Sequence, residues 1–128
     1  MRLGHAKEDC LKAILLLGRE IKYVRSVDVA RRLGLSKPTV CSTINALEKM
    51  GYVDKAPPPN FILTLTDHGK KTADKIYEKH CFFKALLLRA GIEEAVAEQE
   101  ACELEHAISD ESFDTLRQAT VRRSDDEA

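Results

Sequence analysis

Three side chains in the last third of the sequence have the donor atoms and the spacing of a metal site. Cys102, Glu105 and His106 follow one another at i, i+3 and i+4, so a helix would place a thiolate, a carboxylate and an imidazole on one patch. Glu98 lies one turn earlier on the same side. The spacing predicts a divalent-metal site. Two alternatives stay open at this point, because a Glu-His pair is often solvated and a cysteine is often a small core residue.

Helices must position these side chains. Thr66 is a good N-cap and precedes a helix predicted over 67–89. Gly91 ends that helix, and further helices are predicted over 93–108 and, more briefly, 110–121. Apolar residues surround the end of the 67–89 helix on nearly all sides, which predicts that part of it lies in a subunit interface.

The stretch 26–53 predicts two short helices joined by a tight turn. Ser26 can cap a first helix over 27–33, and Gly34 supplies the left-handed residue that ends it. Ser36 can cap a second helix whose first turn contains Pro38, where the missing N–H costs nothing. This arrangement is typical of a helix-turn-helix.

The second of these helices has two different faces. Val40, Ile44 and Leu47 repeat at i, i+4 and i+7 and should face the core. The opposite face is small, polar and basic, and it consists of Pro38, Ser42, Asn45 and Lys49. Such a face suits the major groove of DNA.

Two strand-like runs follow, at 52–55 and 61–65, around a proline-rich turn. A hairpin directly after a helix-turn-helix is the wing of a winged helix. A first helix over about 7–19 completes the predicted fold, which is mostly α with a small β-hairpin wing followed by a helical domain.

Composition and charge limit the function. The 128 residues are 44% hydrophobic and 32% charged, as in a globular protein, and no apolar run approaches the roughly 20 residues of a membrane span. The start of the sequence lacks the apolar core of a signal peptide, so we expect a cytoplasmic protein without a membrane partner, whose four cysteines are thiols or ligands.

Charge is divided unevenly along the chain. Residues 1–80 contain 15 Lys and Arg and 9 Asp and Glu, a net charge of +6, whereas residues 81–128 contain 5 and 12, a net charge of −7. The basic part contains the helix-turn-helix, as phosphate binding requires. The acidic part contains the candidate metal ligands.

Six runs of sequence, in order, resemble a known family. They are EDCLKAI (8–14), VRSVDVARRLGLSKPTV (24–40), LEKMGYV (47–53), LTLTDHGKK (63–71), KHCFFKALL (79–87) and ACELEHAISDE (101–111). Together they resemble the iron- and manganese-dependent repressors typified by the diphtheria toxin repressor, in the short two-domain type. ACELEHAISDE is the most specific run, since helix-turn-helix sequences are common to many regulators.

The resemblance implies a homodimeric repressor that a divalent cation, Fe²⁺ or Mn²⁺, activates to bind an operator in double-stranded DNA and control metal-homeostasis genes. It implies a winged-helix DNA-binding domain over 1–70 and a metal-binding and dimerisation domain over 71–128. Carried over residue by residue, it implies the metal ligands Asp9, His80, Glu98, Cys102, Glu105 and His106.

Several positions depart from the family pattern. Lys12 stands where the manganese type often has a carboxylate, and Lys84 and Glu98 stand where the iron type has an acid and a histidine of its second site. A complete two-metal cluster is therefore not implied. Cys102 suits softer ions, whereas Asp9 suits the harder Mn²⁺, and the mixed set would also suit Zn²⁺.

Five residues at the start of the second short helix are the predicted DNA contacts: Ser36, Lys37, Pro38, Thr39 and Ser42. A metal-independent or redox-responsive winged-helix regulator is the alternative reading. A metallohydrolase is disfavoured, because the sequence has no HExxH motif and nothing places a base beside an open metal position. We therefore expect a protein that is not an enzyme and has no small organic substrate.

Overall fold

The computed structural model describes residues 3–127, and in this part the chain forms six α-helices and one two-stranded antiparallel sheet. The elements are α1 His5–Glu20, α2 Ser26–Leu33, α3 Lys37–Lys49, β1 Val53–Lys55, β2 Leu63–Leu65, α4 Asp67–Arg89, α5 Glu94–Ala107 and α6 Asp110–Glu127. The chain divides into two compact units, Leu3–Tyr77 and a second that begins at Glu78. The predicted fold class, mostly helical with a small hairpin, is confirmed.

The turn between α2 and α3 has the predicted geometry. Gly34 adopts the left-handed conformation with φ of 67°, where a side chain would be strained. Ser36 caps α3, since its Oγ accepts a hydrogen bond of 3.3 Å from the backbone N–H of Thr39.

The predicted cap at Ser26 is wrong. Arg25 is the N-cap of α2, because its backbone N–H donates to Asp28 Oδ2 at 2.9 Å and the helix begins one residue earlier.

The core of the first unit lies between α1, α2, α3 and the hairpin. Its most deeply buried large side chains are Leu11, Val29, Val40 and Leu47, each with no exposed area. The predicted inward face of α3 is confirmed, since Ile44 is also buried. Each such aliphatic side chain contributes about 1.5–3 kcal/mol relative to exposure, so α3 is held against the core by this face.

Three residue pairs join the two strands of the hairpin: Val53 with Leu65, Asp54 with Thr64 and Lys55 with Leu63. Val24 adds an isolated antiparallel bridge to Leu63. The predicted cap of α4 is confirmed, because Thr66 Oγ1 accepts from the backbone N–H of Gly69 at 3.0 Å and donates to Gly51 O at 2.7 Å. The hairpin and the first turn of α4 are therefore joined through Thr66.

The second unit has a small aromatic core. Phe113 has no exposed area and meets Phe82 edge-to-face, with ring centroids 5.5 Å apart. The buried Lys79 donates to Ile108 O at 2.9 Å and pairs with Asp110 Oδ1 at 2.8 Å, which ties α4 to the turn before α6. No helix in the described part of the chain is long and apolar enough to span a membrane.

The last helix is longer than predicted. Ser109 caps it, since its Oγ accepts a hydrogen bond of 3.1 Å from the backbone N–H of Ser112. The predicted end near residue 121 is wrong, since α6 continues to Glu127. The reason is local, because 110–127 contains no glycine or proline that would end a helix.

Candidate functional site

Five of the predicted metal ligands lie on two helices, in the second unit. His80 lies on α4, and Glu98, Cys102, Glu105 and His106 lie on α5. On α5 the four follow the helical repeat, one or two turns apart, so they share a face. The role of each as a ligand stays a prediction.

His80 lies at the centre of this group. Its Nε2 is 3.1 Å from Glu98 Oε2, and its Nδ1 is 3.7 Å from Cys102 Sγ and 3.6 Å from Glu105 Oε1. One potential ligand atom each from His80, Glu98 and Cys102 lies within 4.8 Å of the other two. Ligand atoms around one tetrahedral ion are about 3–4.5 Å apart, so small side-chain adjustments would suffice to hold one.

Burial differs across the group. His80, Glu105 and His106 are buried, Cys102 is half-buried, and the Glu98 side chain is 49% exposed. Glu105 Oε1 lies 4.0 Å from His106 Nε2 in addition to its approach to His80. A carboxylate buried to 1% exposure is stable only with such polar partners, or with a cation. Because Glu98 is exposed and Cys102 is only half-buried, solvent reaches the group on their side.

The donor set fits a divalent transition metal. A thiol, two imidazoles and two carboxylates match the ligands of Zn²⁺ and of other borderline ions, and the carboxylates also suit Mn²⁺. Calcium and magnesium prefer all-oxygen ligands, so Cys102 and His80 argue against them. The chemistry of these residues therefore agrees with the metal site predicted from the sequence.

Lys84 contributes a positive charge to the same group. Its Nζ lies 2.9 Å from Glu98 Oε2 and 3.9 Å from Glu94 Oε1. The hydrogen bond from Lys84 holds the pKa of the Glu98 carboxyl below its ordinary value, and the same bond raises the pKa of Lys84. Glu98 is therefore ionised at neutral pH and accepts from both Lys84 and His80.

Asp9, the sixth predicted ligand, lies half-buried on α1 in the first unit, and its role as a ligand stays a prediction. Its neighbour Cys10 is buried in the core. Burial raises the pKa of the Cys10 thiol to about 11, with a smaller contribution from the Asp9 charge. Cys81, next to His80, is exposed.

The predicted DNA contacts form one exposed surface at the start of α3. Ser36, Lys37, Pro38, Thr39 and Ser42 are all exposed, and the buried face of α3 lies behind them. Ser36 Oγ and Thr39 Oγ1 are 2.7 Å apart, so the two hydroxyls are ordered by one hydrogen bond. Their contact with DNA stays a prediction.

Two contacts were missed from the sequence. Lys55 on β1 donates to Asn45 Oδ1 on α3 at 2.8 Å, which joins the wing to the exposed face of α3. Only the folded hairpin brings these residues together, so no local pattern indicated the pair. The Lys84–Glu98 pair was also missed, although the four-residue step from His80 to Lys84 places both on one face of α4.

Comparisons with known proteins match both halves of the chain. Residues 2–58 match the family described as "Iron dependent repressor, N-terminal DNA binding domain", and residues 66–124 match "Iron dependent repressor, metal binding and dimerisation domain". The transcriptional regulator MntR of Escherichia coli is 34% identical over 125 residues, which are 95% of this chain and 79% of that protein.

Two further proteins are similar to most of this chain. An uncharacterised HTH-type transcriptional regulator of Methanocaldococcus jannaschii is 35% identical over 90% of this chain and 92% of its own length. A solved structure described as a manganese-dependent transcriptional repressor complex with manganese is 28% identical, with a TM-score of 0.77 over 88% of this chain. This chain covers 51% of that longer one. The family resemblance found in the sequence is confirmed.

Proposed function

Because the chain belongs to the iron-dependent repressor family, we propose that it is a DNA-binding transcriptional repressor that a divalent metal activates and that controls metal-homeostasis genes. One observation carries the proposal. A basic unit presents the capped, exposed start of α3, and an acidic unit gathers His80, Glu98 and Cys102 within 4.8 Å. Family membership joins these two features into one regulator.

In this proposal the acidic unit holds the ion. His80, Glu98 and Cys102 bind it, with Glu105 and His106 as further donors. A bound divalent cation supplies the positive charge that offsets repulsion between the carboxylates and the thiolate. Fe²⁺ and Mn²⁺ are the proposed ions, and the thiol and the two imidazoles also allow Zn²⁺.

Asp9 is proposed as a ligand from the first unit, on the family resemblance alone. A ligand on α1 would link metal binding to the DNA-binding unit, and the regulator could then favour the conformation that binds DNA. Replacement of Asp9 by Asn tests this ligand. Loss of metal-dependent DNA binding with an unchanged thermal midpoint of the metal-free protein would support it.

DNA binding is assigned to the exposed start of α3. Lys37 is the phosphate contact, and Thr39 and Ser42 are the candidates for base edges or thymine methyl groups. Ser36 and Pro38 set the position of this turn against the groove. The proposed site of action is the cytoplasm, where the operator DNA lies, and the proposed function requires no catalysis.

A homodimer is proposed through the second unit. Six large apolar side chains in the described part of this unit are exposed by 37% or more: Leu86, Leu88, Val96, Leu104, Leu116 and Val121. Exposed apolar area of this extent is typical of an interaction surface. A dimer would present two copies of α3 to successive turns of DNA. Sedimentation of the whole protein tests the dimer, and a monomer at micromolar concentration would contradict it.

The decisive experiment measures DNA binding with and without metal. A duplex is selected from a random-sequence library with the whole protein in Mn²⁺, and its affinity is then measured by fluorescence anisotropy in Mn²⁺, in Fe²⁺ and in a chelator. Anaerobic conditions protect Cys102. We expect the chelator to weaken binding by at least roughly tenfold, or about 1.4 kcal/mol. Equal affinity in metal and chelator would favour the metal-independent alternative.

A further inference from the structure

A lysine lies where a cation would be expected to bind. Lys84 Nζ is 2.9 Å from Glu98 Oε2, and the same oxygen is 3.1 Å from His80 Nε2. Glu94 Oε1 lies 3.9 Å from the same ammonium. The ammonium is therefore bonded to an oxygen that belongs to the His80, Glu98 and Cys102 group.

We propose that the Lys84 ammonium acts as a built-in competitor of the metal ion, because it occupies the cation position next to Glu98 and so opposes metal binding at the group formed by His80, Glu98 and Cys102. The inference rests on the proposed metal-dependent function. In this proposal, Lys84 raises the metal concentration at which the regulator binds its ion and responds.

The ion pair between Lys84 and Glu98 contributes little to the free energy of unfolding. The side chains of Lys84 and Glu98 are 30% and 49% exposed, and ion pairs at such positions contribute little to folding. The charge has a larger effect on an incoming cation. A unit positive charge about 5 Å from a divalent ion weakens its binding roughly tenfold, even at the dielectric constant of water.

Chemistry distinguishes Lys84 from a ligand. An ammonium has three donors and no acceptor, so it cannot coordinate a metal while it is protonated. To accept an ion, Glu98 must turn an oxygen away from Lys84 or share it, and either change leaves two cations close together. The lysine can withdraw along its flexible stem, which makes the opposition partial rather than complete.

Two substitutions separate the charge from the side chain. Lys84→Met removes the charge and keeps an unbranched, helix-compatible side chain, whereas Lys84→Arg keeps the charge. Dissociation constants for Mn²⁺ and Zn²⁺ are measured on the whole protein by competition with a chelating dye, anaerobically and with a non-thiol reductant. We expect K84M to bind each ion roughly tenfold more tightly than wild type and K84R to bind like wild type.

Three controls sharpen the test. Lys71→Met removes a positive charge from an exposed position early in α4 and should leave the metal dissociation constants unchanged. In a Glu98→Gln background the effect of K84M should become smaller, because the shared carboxylate is gone. High salt should also reduce the difference between K84M and wild type, since screening weakens the opposition.

The outcomes separate this inference from the proposed function. Wild-type protein that binds metal with the same affinity as K84M overturns the role of Lys84 and leaves the metal-dependent regulator intact. A lower thermal midpoint of metal-free K84M with unchanged metal affinity also overturns it, because Lys84 would then be structural. Wild-type protein that binds none of Mn²⁺, Fe²⁺ and Zn²⁺ overturns the proposed function itself.

Discussion

Replacement of Gly69 by alanine should destabilise the first unit without unfolding it. A Cβ built on Gly69 would lie 1.9 Å from the carbonyl oxygen of Tyr52, whereas real contacts of this kind stay above 3.0 Å. The obstructing atom is backbone, so no side-chain rotation relieves the overlap. The turn that leads into β1 and the first turn of α4 must move apart.

That movement affects three hydrogen bonds. Thr66 N donates to Tyr52 O at 3.1 Å, Thr66 Oγ1 donates to Gly51 O at 2.7 Å, and Gly69 N donates to Thr66 Oγ1 at 3.0 Å. Each bond contributes about 0.5–1.5 kcal/mol net, so we expect a loss of about 2–4 kcal/mol in the free energy of unfolding. For a unit of this size that lowers the thermal midpoint by about 10–30 °C.

The sequence offers a convenient probe. It contains no tryptophan, and its three tyrosines, Tyr23, Tyr52 and Tyr77, all lie in the first unit. Tyr52 stacks on His68 with ring centroids 4.3 Å apart, so its fluorescence should report the contact directly. Tyrosine fluorescence during urea unfolding therefore follows the first unit, and circular dichroism follows both.

Gly18 provides the matched control. It lies inside α1, and a Cβ built there meets nothing within 4 Å. Gly18→Ala should stabilise the protein by about 0.5–1 kcal/mol, since alanine is the better helix former. An unfolding midpoint of Gly69→Ala equal to that of wild type would refute the close approach of Tyr52 to α4.

Three further predictions concern the two sites. Lys37→Ala should weaken binding to all DNA sequences and flatten the slope of log affinity against log salt by about one unit, and an unchanged slope would remove Lys37 from the phosphate contacts. Cys102→Ser should weaken Zn²⁺ binding by at least roughly tenfold and Mn²⁺ binding by less, because thiolate prefers the softer ion; equal losses in dye competition would contradict this. Iodoacetamide at pH 8 should label the exposed Cys81 and spare the folded protein's Cys10, whose burial raises the thiol pKa to about 11, and mass spectrometry of peptides distinguishes the two.

Local sequence determined most of the secondary structure. Gly34, Ser36 and Thr66 act through backbone conformation or through hydrogen bonds within three residues, and the structure confirms all three positions. The inward face of α3 was equally predictable, since a helical repeat of apolar residues needs no knowledge of its partner. The errors were also local. The Asp28 carboxylate accepts from the backbone N–H of Arg25, so α2 begins one residue earlier than predicted. The helix α6 continues to Glu127 because no glycine or proline ends it.

The sequence by itself also determined which chemistry was present, because the spacing on α5 grouped Glu98, Cys102, Glu105 and His106 on one face. It did not determine the charge around them. Only the packing of α4 against α5 brings Lys84 and His80 to the same oxygen of Glu98, and only the folded hairpin brings Lys55 to Asn45. Side-chain donors and acceptors follow from residue type and helical phase, whereas which cation reaches which carboxylate depends on distances of a few ångströms that tertiary packing sets.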